Sequence, residues 1–168
     1  MVQTATVHAG NIELKIINAY MPPKSTGPMS TYVQTTNTIR RLRLQPGHLS
    51  VCEYFYSTIE AEIQEAARRG AKVILGGDFN DPHGERSSMT RRLERATLLN
   101  VTSPGGRGAP PSSRRPGLQV IDHVWVSHKL APVVTAFGYL PFGLGVWSDH
   151  RGLFVDLKVP KIANPLVP

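Results

Sequence analysis

Alternation dominates the start of the chain. In IELKIINAY, residues 12–20, the side chains of Ile12, Leu14, Ile16, Asn18 and Tyr20 fall on one face of an extended strand. With residues 3–8 ahead of it and Ala9, Gly10 and Asn11 between, the pattern predicts a β-hairpin that ends at Tyr20. MPPKSTGPMS, 21–30, carries three prolines and a glycine and reads as a surface loop. A helix with weak periodicity is expected over 31–44, stopped by Pro46-Gly47.

The next helix is better marked. Ser50 and Glu53 form a capping box, Val51, Phe55, Ile59 and Ile63 recur every fourth residue, and Arg68, Arg69 and Gly70 suit its end. KVILGG, 72–77, does not alternate, as expected of a strand covered on both faces. A third helix is predicted over about 87–99 through Met89, Leu93, Ala96 and Leu99, then a long basic loop, SPGGRGAPPSSRRPG, over 103–117. LQVIDHVWVS, 118–127, resumes strand character with Val120, Asp122, Val124 and Val126 on one face, and two further strands are expected over 133–140 and 151–159. Strands separated by helices, then strands returning close together, predict a single layered α/β domain over 1–168.

Composition narrows this picture modestly. A chain of 168 residues that is 40% hydrophobic can build a core. Its formal charge of +7 favours an anionic partner. The single cysteine, Cys52, excludes an internal disulfide framework and a thiolate metal cluster, and leans toward a reducing, intracellular compartment. The first residues lack a secretion-signal pattern and no apolar run reaches the roughly 18 residues of a membrane span, so no membrane partner is expected.

The candidate chemistry lies in the placement of the acids. Of the 12 Asp and Glu residues, the glutamates fall on a hairpin and on helices, whereas Asp78, Asp122 and Asp149 sit at strand ends or beside apolar neighbours. Alone, Asp78 could cap a helix, Asp122 pair with an arginine and Asp149 open a turn. Together they suit phosphodiester hydrolysis, which needs an activated water, a cation and donors to hold the diester. Asp78 can accept the water's proton and Asn80 orient it. Asp122 can hold one ring nitrogen of His150, leaving the other for the phosphate or a proton, and Asp149 is a hard oxygen ligand for Mg2+ or Mn2+. His48 and His83 read as loop or turn residues and His123 as facing away from Asp122, so zinc is not expected. Trp125 and Trp147 read as packing residues, with Trp147 at the border of the cleft as the alternative. Aromatics are 7% and do not interleave with the basic runs, which gives single-strand stacking little support.

Four segments in order, NAYMP at 18–22, GGDFNDP at 76–82, IDHVWVS at 121–127 and SDHR at 148–151, resemble the endonuclease/exonuclease/phosphatase superfamily. IDHVWVS and the SDH ending are most similar to the endonuclease domains of non-long-terminal-repeat retrotransposons. The resemblance implies two facing mixed β-sheets flanked by helices, here as a partial four-layer sandwich. It also implies a Mg2+- or Mn2+-dependent DNA phosphodiesterase. By resemblance Tyr20, Asp78, Asn80, Asp122 and His150 are catalytic, and Asp149, Asp78, Asn80 and His150 complete the metal and phosphate site. The family's opening asparagine strand and metal-binding glutamate strand have no counterpart in the 17 residues before Asn18, and Glu13 alternates away from Tyr20. The expectations are therefore an N-terminally truncated domain with weak or no activity, an exposed sheet edge and apolar face, and an upstream polypeptide or fused reverse transcriptase as partner. A retrotransposon origin would make the location nuclear. The alternatives are a phosphatase or RNA-directed member of the same superfamily, and an inactive remnant that binds nucleic acid through its arginines.

Overall fold

The computed structural model describes residues 1–9, 12–44, 50–81, 88–102, 112–117, 119–144 and 147–158. The turn at Gly10 and Asn11, the Pro46-Gly47 stop, His48, His83, Pro82 of GGDFNDP, and residues 103–111 of the basic loop lie outside them.

Strands β1 (Val2–Ala9) and β2 (Ile12–Tyr20) form the expected antiparallel hairpin, pairing Val2 with Ala19 and Val7 with Leu14. Helices α1 (Thr31–Arg41) and α2 (Val51–Arg68) follow, then strand β3 (Lys72–Asp78), which returns parallel to β2. Helix α3 (Ser88–Arg95) leads to the short strand β4 (Leu98–Asn100), and β5 (Asp122–Ser127) inserts antiparallel between β3 and β4. The first sheet has the order β1-β2-β3-β5-β4, and β6 (Val134–Tyr139) with β7 (Leu153–Leu157) makes a second, two-stranded antiparallel sheet.

Period decides the layering. Helix α2 buries Val51, Phe55, Ile59, Ile63 and Ala66, one stripe at helical spacing. That stripe shares a core with Ile17, Ala19, Val73, Leu75 and Trp125 on the outer face of the large sheet. The alternate residues Val124, Val126 and Ile74 meet Leu153, Val155 and Leu157 of the small sheet across the inner face. KVILGG is thus covered on both sides, as its lack of alternation predicts. Phe154 lies on the outer face of the small sheet, paired with Gly138 and partly exposed, so the described residues form the helix, sheet and sheet layers of a partial sandwich. Among them no helix is long and apolar enough to cross a membrane.

Four expectations need correcting. The capping box is half formed: Ser50 Oγ accepts from the Glu53 N–H at 3.2 Å, but the Glu53 carboxylate pairs with Arg92 instead. Two glutamates, Glu53 and Glu60, grip that guanidinium, and the tertiary ion pairs replace the local bond. The third helix ends at Arg95, because Thr97 adopts a left-handed backbone (φ 62) and Leu98 to Asn100 find strand partners on β5. The strand expected over 118–127 starts at Asp122, since the Ile121 and Asp122 N–H groups are taken by Ser113 Oγ. Trp125 is buried as expected, whereas Trp147 is fully exposed and packs no core.

Candidate active site

Register places the first three candidate groups. Tyr20 pairs with Asp78 between the parallel strands β2 and β3, and Asp78 pairs with Asp122 between β3 and β5. Directly paired residues share a sheet face, so all three side chains emerge in a row at one end of the inner face. The glycine before Asp78 explains how the strands meet there. Gly77 has φ +146, and a Cβ built on it would lie 1.9 Å from the Ala19 carbonyl oxygen. Only a residue without a side chain lets β3 pass β2 at this point.

The chain then turns at Phe79 and Asn80. Phe79 is buried and its N–H bonds to the Ile121 carbonyl, while Asn80 sits in the left-handed region (φ 45) that asparagine tolerates. The Asp78 carboxylate accepts from the Asn80 backbone N–H at 2.9 Å and from its Nδ2 at 3.0 Å, and Nδ2 also donates to the Met21 carbonyl at 2.7 Å. With its amide nitrogen committed twice, Asn80 offers Oδ1 to a ligand. Burial is the main force that raises the Asp78 pKa, with the nearby Asp122 charge adding to it.

His150 arrives on a strap. Arg114 bridges His150 in antiparallel fashion, Arg115 N–H donates to the Asp149 carbonyl at 2.7 Å, and Arg151 N–H donates to the Ser113 carbonyl at 2.8 Å. Ser113 is wholly buried and its Oγ accepts from the Ile121 and Asp122 N–H groups, tying the strap to the start of β5. His150 Nδ1 lies 2.9 and 3.1 Å from the two oxygens of the buried Asp122 carboxylate, so Nδ1 carries the proton and donates it there. Nε2 is left 4.0 Å from Asp78 Oδ2. Tyr139 donates its hydroxyl to the Asp122 carbonyl at 2.9 Å, and burial pushes its pKa to about 12, which keeps it a donor.

Asp78, Asn80, Asp122 and His150 therefore converge, and Tyr20 joins them by register. Asp149 does not. Its carboxylate is more than half exposed and accepts from Arg114 Nε at 3.1 Å, a bond that holds it below the usual carboxylate pKa. Three residues that spacing did not mark support the cluster: Ser113, Tyr139 and Arg114. No periodic or motif signal would have found them, because each acts through backbone or strap contacts from a distant part of the chain. His123 faces away from Asp122, buried beside Phe79 and Asn100. A cavity of about 470 Å3 lies at the other end of the sheet, beside Lys72, Val73 and Ser127, far from these acids.

One carboxylate oxygen each from Asp78 and Asp122 and one ring nitrogen of His150 lie within 4.8 Å of one another. Asp122 is committed to His150, so the donors that fit a hard divalent cation are the Asp78 carboxylate and Asn80 Oδ1. Such a short ligand set would leave much of a divalent cation's coordination to water.

The profile of the Endonuclease/Exonuclease/phosphatase family matches residues 15–150. The chain belongs to that family. Its members are phosphoesterases and nucleases that use divalent metals, and NAYMP, GGDFN, IDHVWVS and SDH all fall inside the match. None of the curated proteins matches it in sequence. Among solved structures it superposes on the endonuclease domain of TRAS1, a telomere-specific non-LTR retrotransposon, with a TM-score of 0.57 and 14% identity over 95% of this chain. It also matches a 3' phosphatase, NExo, from Neisseria bound to product DNA hairpin (0.57, 14%, 93%) and the Xenopus laevis APE2 catalytic domain (0.59, 16%, 94%). These likenesses establish a shared fold. The chain spans 64%, 65% and 54% of the length of those three proteins.

Proposed function

We propose that this family member hydrolyses phosphodiester bonds of nucleic acid, DNA first, with Mg2+ or Mn2+, and that its lineage is the retrotransposon endonuclease branch suggested by IDHVWVS and SDHR. The observation that carries the activity is the Asp122–His150 pair facing Asp78 across 4.0 Å. Asp78, its carboxyl made more basic by burial, takes the proton of a water that Asn80 Oδ1 orients. As that water's oxygen bonds to phosphorus, the opposite P–O bond breaks. His150, locked by Asp122 through Nδ1, presents Nε2–H to a phosphoryl oxygen when protonated. Tyr20, paired with Asp78 on the same face, would contact the scissile phosphate or the leaving group. Asp78 and Asn80 would hold the cation, which supplies charge compensation on the phosphoryl oxygens.

Within the described cluster of Asp78, Asp122, Asp149 and His150, Asp78 is the carboxylate left for a cation, because Asp122 serves His150 and Asp149 serves Arg114. Metal affinity is accordingly weak and turnover slow. Supercoiled plasmid incubated with the chain should be nicked slowly at millimolar Mg2+ and not in EDTA, with Asp78→Asn and His150→Ala each lowering the rate about 100-fold or more. Nicking that survives both substitutions would sink the assignment. Parallel incubation with RNA and with 3'-phosphorylated oligonucleotide tests the second reading, a 3' phosphatase, which the NExo fold match supports.

A further inference from the structure

The rim beside His150 is unusual for the surface of a basic protein. Trp147 has its whole ring in water, at 106% relative exposure. It precedes the Ser148–His150 turn, in which Ser148 Oγ accepts from the His150 N–H at 3.0 Å. Next to the imidazole a pocket of about 160 Å3 opens between Leu140, Leu144, Ser148, His150 and Arg151. Its volume is on the scale of a space for one aromatic ring, about 150 Å3. Phe142 is fixed between two guanidiniums, Arg115 at 4.3 Å and Arg151 at 4.1 Å from its ring.

The open Trp147 ring and the pocket's Leu140 and Leu144 therefore adjoin two arginines whose guanidiniums lie on Phe142, Arg151 also donating to the Ser112 and Leu140 carbonyls. A single phosphomonoester would use the cations and leave the Trp147 ring bare, and an apolar peptide would leave the arginines uncompensated. An unpaired nucleotide satisfies both, since its phosphate meets arginine and its base stacks. We propose that Trp147 is a base-stacking residue that holds an unpaired nucleotide over the rim pocket, next to the phosphate bound at His150. This rests on the phosphodiesterase reading and deepens it by naming the substrate as single-stranded or unpaired nucleic acid. Leu140, Phe142, Leu144, Trp147, His150 and Arg151 come from one segment of the chain, and the 112–117 strap adds Arg115 to the Phe142 ring.

The two tryptophans make the test direct, because Trp125 is buried at 1% exposure and Trp147 is not. The full chain in EDTA is titrated with a short single-stranded DNA oligonucleotide, and with an oligonucleotide of equal length whose bases are replaced by abasic spacers. The base-bearing strand should quench the exposed emission and shield it from iodide, while the abasic strand binds through phosphates with little quenching. Trp147→Ala should weaken the base-bearing strand about tenfold and leave the abasic strand unchanged. Equal quenching by both strands, or unchanged affinity of Trp147→Ala for the base-bearing strand, overturns the stacking role. Asp78→Asn separates the two readings, since it should lose cleavage and keep the quenching. If neither strand binds, both readings are overturned.

Discussion

A single buried imidazole illustrates how far one side chain's environment reaches. Burial lowers the pKa of His123 from its ordinary 6.5, the nearby Asp122 and Asp81 charges only partly opposing it. A histidine whose folded pKa is depressed binds its proton more readily in the unfolded chain. The native state is thus disfavoured as pH falls below 6.5, and the stability is fully present above that value. Thermal melts of the wild type should lose stability between pH 7 and 5, by about 1.4 kcal/mol per unit of depression, and His123→Gln should flatten that slope. An unaltered slope in the variant would place the acid sensitivity elsewhere. At the same scale, Asp122 and Asp149 show why residue type alone did not define the site. Both are acids followed directly by a histidine, but one meets an imidazole and the other a guanidinium.

Elements carry the next constraint, through the crossing of β2 and β3. A methyl at position 77 would sit 1.9 Å from the Ala19 carbonyl oxygen, and the φ of +146 is a conformation L-residues rarely adopt. Gly77→Ala must therefore push the two strands apart at the point where Tyr20 and Asp78 pair. We expect it to cost at least about 2 kcal/mol in denaturant unfolding and to abolish nicking. Gly76→Ala is the control, since its Cβ would meet Val124 at an ordinary 3.8 Å and should be far milder. A pair of equally mild variants would show that the strand crossing does not depend on glycine. Hairpin, α2 and β3 were legible because each owns its signal: period 2, period 4 with a cap, and an apolar run ending in glycines. The 88–100 segment was not, since its apolar residues fit a helix, and only the presence of β5 as partner drew Leu98 to Asn100 into a strand.

In the whole molecule, cover is uneven. The small sheet packs over β3 and β5, while the inner face at β1 and β2 keeps Val7 at 43% and Ile16 at 38% exposure. An exposed edge and apolar face are what the sequence leads one to expect of this chain. Adjacent isoleucines report the asymmetry. Ile17, wholly buried under α2, should cost about 2–5 kcal/mol on substitution by alanine. Ile16→Ala should cost less than about half as much, measured by urea unfolding. Equal losses would mean that the inner face at β2 is covered in solution.

The sequence by itself determined the α/β layering, the hairpin end at Tyr20, and the ordered segments that mark the family, because periodicity and turn chemistry are local properties of the chain. Only the tertiary structure decided that Asp122 joins His150 and Asp149 does not, and that one tryptophan is core and the other fully in water. Those outcomes depend on strand register and on the strap of residues 112–117, which are pairings between segments far apart in sequence.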